Sequence, residues 1–382
     1  MRGGSWTHLY GDASALHPVS LDLADASHVS HHYEERLVRD LSWIDELVGI
    51  VGESILRTLE QSVRAVLQLD KELATQTILE DYTTNRQTRE LDRLCHAFVA
   101  CHLPSAGHLR TVSAVLRLSI GLERIGDYST TISRTASQLS MPPPPVVARD
   151  IEMMAEHAHR LLRDALSSFS KRDVGLATST LASALQFARY FDKVFDDLAQ
   201  EGEANSRPSS ELFALMATFN RLERIIHQAK NICEETVFVV NGQTKGEKTF
   251  TILFLDRDNT GASQLAEHFT AKAFPNSGRY SSAGLEPGED LAPSYREFAE
   301  SVGIDVTRAW PTGIDNRREE LSEFDLIVGL EPNLRDALGR LPFHTSMLTW
   351  SIESADGPES VYRQLTPKIR ELMEMLRGEQ AS

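Results

Sequence analysis

Four consecutive prolines at 142–145, in the run MPPPP, constrain this chain more than any other feature. Proline fixes φ and lacks an amide donor, so no helix passes through such a run. Yet both sides of it read as helix. Upstream, Leu37, Leu41, Ile44, Leu47, Val48, Val51, Ile55, Leu59, Val63 and Val66 recur at spacings of three and four, which marks a long helix with one apolar stripe. A second helix is expected over 71–102, a break at LPSAGH (103–108), and a third helix over 108–139. Downstream, helices are expected near 146–170, 173–200 and 210–239. Three long helices, a stiff connector and three more describe an internal duplication. Two details support it. LERIGD at 122–127 is echoed by LERIIH at 222–227, and Asp81 with Asn85 is echoed by Asp192 with Asp196, each pair four apart on the second helix of its half.

Beyond a polar linker, NGQTKGEK at 241–248, the pattern changes. FTILFL (250–255), YSSAG (280–284), DLIVGL (325–330) and TSMLTW (345–350) read as strands with helices between them, and a terminal helix fits 359–377. Short β-α units of this kind imply a doubly wound parallel sheet. The expected domains are therefore a loose leader (1–27), a helical domain (28–242, with repeats 28–140 and 146–242) and an α/β domain (249–382).

Composition narrows function. The formal net charge is -16, which argues against non-specific nucleic-acid binding, since that needs a basic surface. Three scattered cysteines suit a reducing compartment. No apolar run approaches the ~18 residues of a spanning helix, and the expected location is cytoplasmic. Glu123 and Asp127 lie on one face of the third helix. If that face looks inward, the two carboxylates are buried together and need a cation or an arginine. A solvated face with Arg124 beside it remains the plain alternative.

Three stretches carry a family resemblance: LDKELATQTILED (69–81), LPSAGHLR (103–110) and LERIGDYSTTI (122–132), with LERIIHQAKNICEETVFVVNG (222–242) closing the second half. They resemble the PhoU family of phosphate-uptake regulators. That resemblance implies a pair of three-helix bundles and a metal (iron, zinc or magnesium). The metal would be held at Glu123 and Asp127, with Asp81 as a weaker ligand. In the second repeat Glu223 is kept but its partner position is His227, so a site there either changes its metal preference or is lost. The resemblance further implies the phosphate ABC transporter ATPase and a phosphate-sensing histidine kinase as partners, and a homodimer.

From 250 onward the first strand, SQLAEHF (263–269), SSAG (281–284), REFAESVGID (296–305) and FDLIVGL (324–330) resemble the low-molecular-weight tyrosine phosphatase and arsenate reductase family. That family works through a cysteine and an arginine around a phosphate loop. Here the loop is Asp256, Arg257, Asp258, Asn259, Thr260, Gly261, Ala262 and Ser263, with Asp256 at the nucleophile position and Ala262 at the arginine position. The resemblance thus implies an inactive phosphatase-like module that binds a ligand or partner. Asn259, Ser263 and Gln264 are expected to shape the loop and cap the following helix, while Glu353 and Asp356 follow Trp350 near the usual general-acid position. LFLDRDNT also resembles the first motif of the haloacid-dehalogenase-like phosphatases. Under that alternative Asp256 attacks phosphorus, Asp258 is the acid/base, and magnesium bridges them. A metal-binding scaffold unrelated to phosphate stays open as well.

Overall fold

The computed structural model describes residues 23–185, 190–203, 207–243, 249–314, 318–339, 341–342 and 345–378. Helix α1 runs Leu23–Gln68, α2 Lys71–His102, α3 Ala106–Gln138, α4 Pro145–Lys171, α5 Val174–Leu185, α6 Tyr190–Glu203 and α7 Ser209–Asn241. The helix begins at Leu23, so the expected leader is shorter by several residues, and residues 1–22 lie outside the described part. The single helix expected over 173–200 appears as α5 and α6, with 186–189 between them outside the described residues.

Three helix ends have local causes. Asp70 caps α2 by accepting the Leu73 amide at 2.9 Å. Pro145 opens α4 at a position where its missing amide costs nothing. Gly242 ends α7 in the left-handed region, φ 71°. Within each half the helices pack on their neighbours, and the halves meet twice: α3 lies along α7 and α1 along α4. One hydrophobic cluster runs through both, from Leu37 to Val239.

The connector is held as well as stiff. Glu211, only 4% exposed, accepts the Ser140 amide at 3.1 Å and the Ser140 hydroxyl at 2.6 Å through Oε1. Arg207 donates to its Oε2 at 3.2 Å and also to the carbonyls of Met141 and Pro142.

The C-terminal domain holds strands β1 (Phe250–Asp256), β2 (Gly278–Gly284), β3 (Leu326–Gly329) and β4 (Ser346–Thr349), and helices α8 (Ala262–Ala273), α9 (Pro293–Ser301), α10 (Leu334–Leu338) and α11 (Pro358–Arg377). The four strands are parallel in the order β2-β1-β3-β4. Ile252, Phe254, Leu326 and Val328 face α8, α9 and α11; Leu253, Leu255 and Ile327 face Leu321 and α10. A strand buried on both sides has no polar alternation, which is why FTILFL is continuous. Strand order reverses between β1 and β3, so the crevice beyond their C-terminal ends is where the fold places a loop of interest. Among the described residues no helix is long and apolar enough to cross a membrane.

Candidate functional site

The inward face of α2 is unusual for a bundle helix: Thr77, Asp81, Thr84 and Thr88 are all buried there. Thr77 returns its hydroxyl to the Leu73 carbonyl. The facing turn of α3 is equally small, with Gly126, Ser129, Thr130 and Ser133 buried. Between them sits the Asp81 carboxylate, 8% exposed. Its Oδ2 accepts from Asn85 Nδ2 at 3.0 Å. Its Oδ1 has no partner, and neither does Asn85 Oδ1. A buried acceptor left without a donor costs free energy, and a native fold keeps one for a reason. The carboxyl is held above its ordinary range, chiefly by burial, then by the charge of Asp127 and, more weakly, of Glu123.

Gly126 makes this placement feasible. A Cβ there would stand 2.7 Å from Asp81 Oδ1, so the glycine is a notch into which the carboxylate fits. In the echoed motif that position is Ile226, buried at 3% exposure. An aliphatic side chain thus occupies the place of the notch in the second repeat, where a carboxylate has no room to approach α7 as Asp81 approaches α3.

Glu123 and Asp127 are exposed. Of the two arrangements left open by the i, i+4 spacing, the solvated face is the one observed, and the buried acid is Asp81. Glu223 is half-buried and His227 exposed. Asp196 is exposed too, and the Asp192 side chain lies outside the described residues. Among the described residues no three His, Cys, Asp or Glu side chains converge closely enough to hold a metal ion as they stand. Still, the donor set at Asp81 is chemically suited to one. Two orphaned oxygens, Asp81 Oδ1 and Asn85 Oδ1, look for a positive partner, and the carboxylates of Glu123 and Asp127 act electrically on the same spot. Oxygen-only donors fit a hard cation.

In the C-terminal domain, Asp256 ends β1 and is 3% exposed. Its Oδ1 accepts the Asn259 amide at 2.7 Å and its Oδ2 the Ser263 amide at 2.9 Å. Burial pushes its carboxyl up to about 6, while those hydrogen bonds from Ser263 and Asn259 hold it from rising further. Asn259 adopts a left-handed backbone, φ 54°. Its side chain donates to Ser263 Oγ at 2.8 Å and accepts from Gln264 at 3.1 Å and from the Thr312 amide at 2.8 Å. Asn259, Ser263 and Gln264 therefore shape the loop as expected. The cap on α8 differs: Gly261 is the N-cap residue and makes no side-chain bond, and Asp256 reaches across to the second helical amide instead. Sequence reasoning did not find this role, and the spacing of seven between Asp256 and Ser263 was the available signal. Arg257 is exposed and stands 3.9 Å from Glu331, away from Asp256. Glu353 and Asp356 are exposed.

The PhoU domain matches the chain twice, at residues 48–136 and 151–236. A Pseudomonas putida protein named phosphate-specific transport system accessory protein PhoU homolog is 26% identical over 215 residues, 56% of this chain and 84% of that protein. The crystal structure of PhoU from Pseudomonas aeruginosa superimposes with a TM-score of 0.51 at 24% identity, over 54% of this chain and 99% of that one. It shares the helical fold. Arsenate reductase from Archaeoglobus fulgidus aligns at a TM-score of 0.27 and 27% identity, over 34% of this chain and 99% of that one, a likeness too low to carry an argument. The N-terminal part of the chain thus holds two copies of the PhoU domain, and a small four-stranded parallel sheet with helices follows them.

Proposed function

We propose that this protein is a regulator of phosphate uptake and signalling. Its helical domain docks on phosphate transport machinery, and its C-terminal domain serves as a non-catalytic interaction module. The observation that carries the reading is the pair of PhoU domain matches, together with relatives named as accessory proteins of phosphate-specific transport. The partners it predicts are the transporter ATPase and a phosphate-sensing histidine kinase, met in the cytoplasm.

The metal belongs to the first repeat in this reading. Asp81 and Asn85 supply the buried oxygens, while Glu123 and Asp127, exposed on the facing helix, act on the same spot through their charge. The cation would neutralise three neighbouring carboxylates and so tie α2 to α3. Ile226 argues against a matching site at Glu223 and His227.

Two other readings are weaker. A magnesium-dependent phosphatase needs Asp256 as a free nucleophile, but both of its oxygens are engaged by amides and the group is buried. A scaffold unrelated to phosphate leaves the transport-system relatives without meaning.

The test is affinity purification of the tagged chain from phosphate-replete and phosphate-starved cells, with mass spectrometry of the captured proteins. Recovery of the transporter ATPase or a sensor kinase, altered by phosphate supply, is expected. Recovery of neither in either state would sink the proposal.

A further inference from the structure

We infer that the Asp256 carboxylate is the resident anion of its own loop, a tethered ligand that locks the C-terminal domain against external oxyanions. The loop turns from β1 into the N-terminus of α8, where free amides and the helix dipole favour negative charge. In this chain that charge is supplied from within. Asp256 takes the amides of Asn259 and Ser263. Asp258 Oδ1 takes the amide of Thr260 at 3.0 Å, and Glu331 Oε1 takes that of Arg257 at 3.2 Å. Four amides of one short turn are thus spent on three carboxylates of the same chain.

Packing seals the arrangement. A Cβ at Gly284 would lie 2.8 Å from the Asn259 nitrogen, and one at Gly261 would lie 2.8 Å from the Tyr295 ring. One at Gly288 would lie 2.3 Å from the Thr260 side chain. Neighbouring segments close on the loop so tightly that only glycine fits at these points. An external phosphate could reach the amides only by expelling Asp256. It would then face two carboxylates, while the loop's own guanidinium, Arg257, stands beside Glu331 instead. Among the described residues neither Asp256 nor Asp258 is in an ion pair, so no cation repays the move.

Hydrogen exchange of the segment 256–263, followed by mass spectrometry on the full chain at pH 7.5, tests the assignment locally. Wild type should show a protected segment that tens of millimolar inorganic phosphate leaves unchanged. Asp256→Ala should exchange faster there, and formate or inorganic phosphate should restore protection in proportion to the logarithm of its concentration. Three results would overturn the assignment: a wild-type segment that gains protection with phosphate, an Asp256→Ala segment already as protected as wild type, or no rescue by either anion. Should Asp256→Ala fail to fold, Asp256→Asn decides. Its amide can accept from only one of the two backbone donors, so either Asn259 or Ser263 must lose protection; two fully protected amides would refute the role. None of these variants touches Asp81, so the regulator reading stands or falls separately.

Discussion

Asp81→Asn should make the metal-free protein more stable, although it alters a buried residue. The Asp81 carboxylate leaves one oxygen without a partner and is opposed by the charges of Asp127 and Glu123. A buried unsatisfied acceptor costs ~1–3 kcal/mol. An amide keeps the shape, can accept from Asn85, and carries no charge. A gain of about 1 kcal/mol is expected in chelator, or about 2–4 °C in melting temperature for a bundle of this size. With cation the order reverses. At a concentration a hundred times its dissociation constant, a bound metal adds about 2.7 kcal/mol to wild type, and Asp81→Asn should lose most of that. The pH dependence follows from the raised carboxyl. Metal-free wild type loses stability as pH rises from the ordinary aspartate value of 3.8 through the higher folded value, and Asp81→Asn lacks that slope. Calorimetric melts in EDTA and in iron, zinc or magnesium provide the readout. An Asp81→Asn protein that melts at or below wild type in EDTA would refute the account of a strained, cation-seeking carboxylate.

Gly126→Ala inserts a methyl against Asp81 Oδ1 and should cost about 1–3 kcal/mol through overpacking, seen as a lower melting temperature; an unchanged value would mean the notch is not tight. Glu211→Ala strips the connector clamp and leaves Arg207 with carbonyls alone, at a cost of roughly 2–3 kcal/mol. Because the hydrogen bond from Ser140 holds Glu211 below its ordinary range, this contribution is present above about pH 4.5 and is lost as pH falls through the lower folded value. A urea titration at pH 7 and pH 3 measures both parts. His102 is buried at the end of α2 with Nε2 2.8 Å from Asp40 Oδ2, so His102→Ala should loosen the start of α1 and speed amide exchange around Tyr33, whose hydroxyl donates to the His102 carbonyl.

Much of the fold was legible because its signals are long. The stripe from Leu37 to Val66, the four prolines and the four apolar runs each fix an element within a few residues. The site was legible only in part. Spacing places Glu123 and Asp127 on a common face but does not say which way that face points, and an α3 already rich in buried small residues turned Gly126 inward and the acids outward. The contrast between Gly126 in LERIGD and Ile226 in LERIIH held the better signal, since only glycine leaves room for a carboxylate from the next helix. The role of Asp256 was hidden for a different reason. Its partners are backbone amides, which every residue has and no sequence displays.

The single hydrophobic cluster that crosses α3–α7 and α1–α4 gives the duplication an asymmetric freedom. Two repeats sharing one core melt as one unit, so neither must be stable alone. The second can therefore carry Ile226 and His227 at its motif without being stable alone, because its helices share a core with the first.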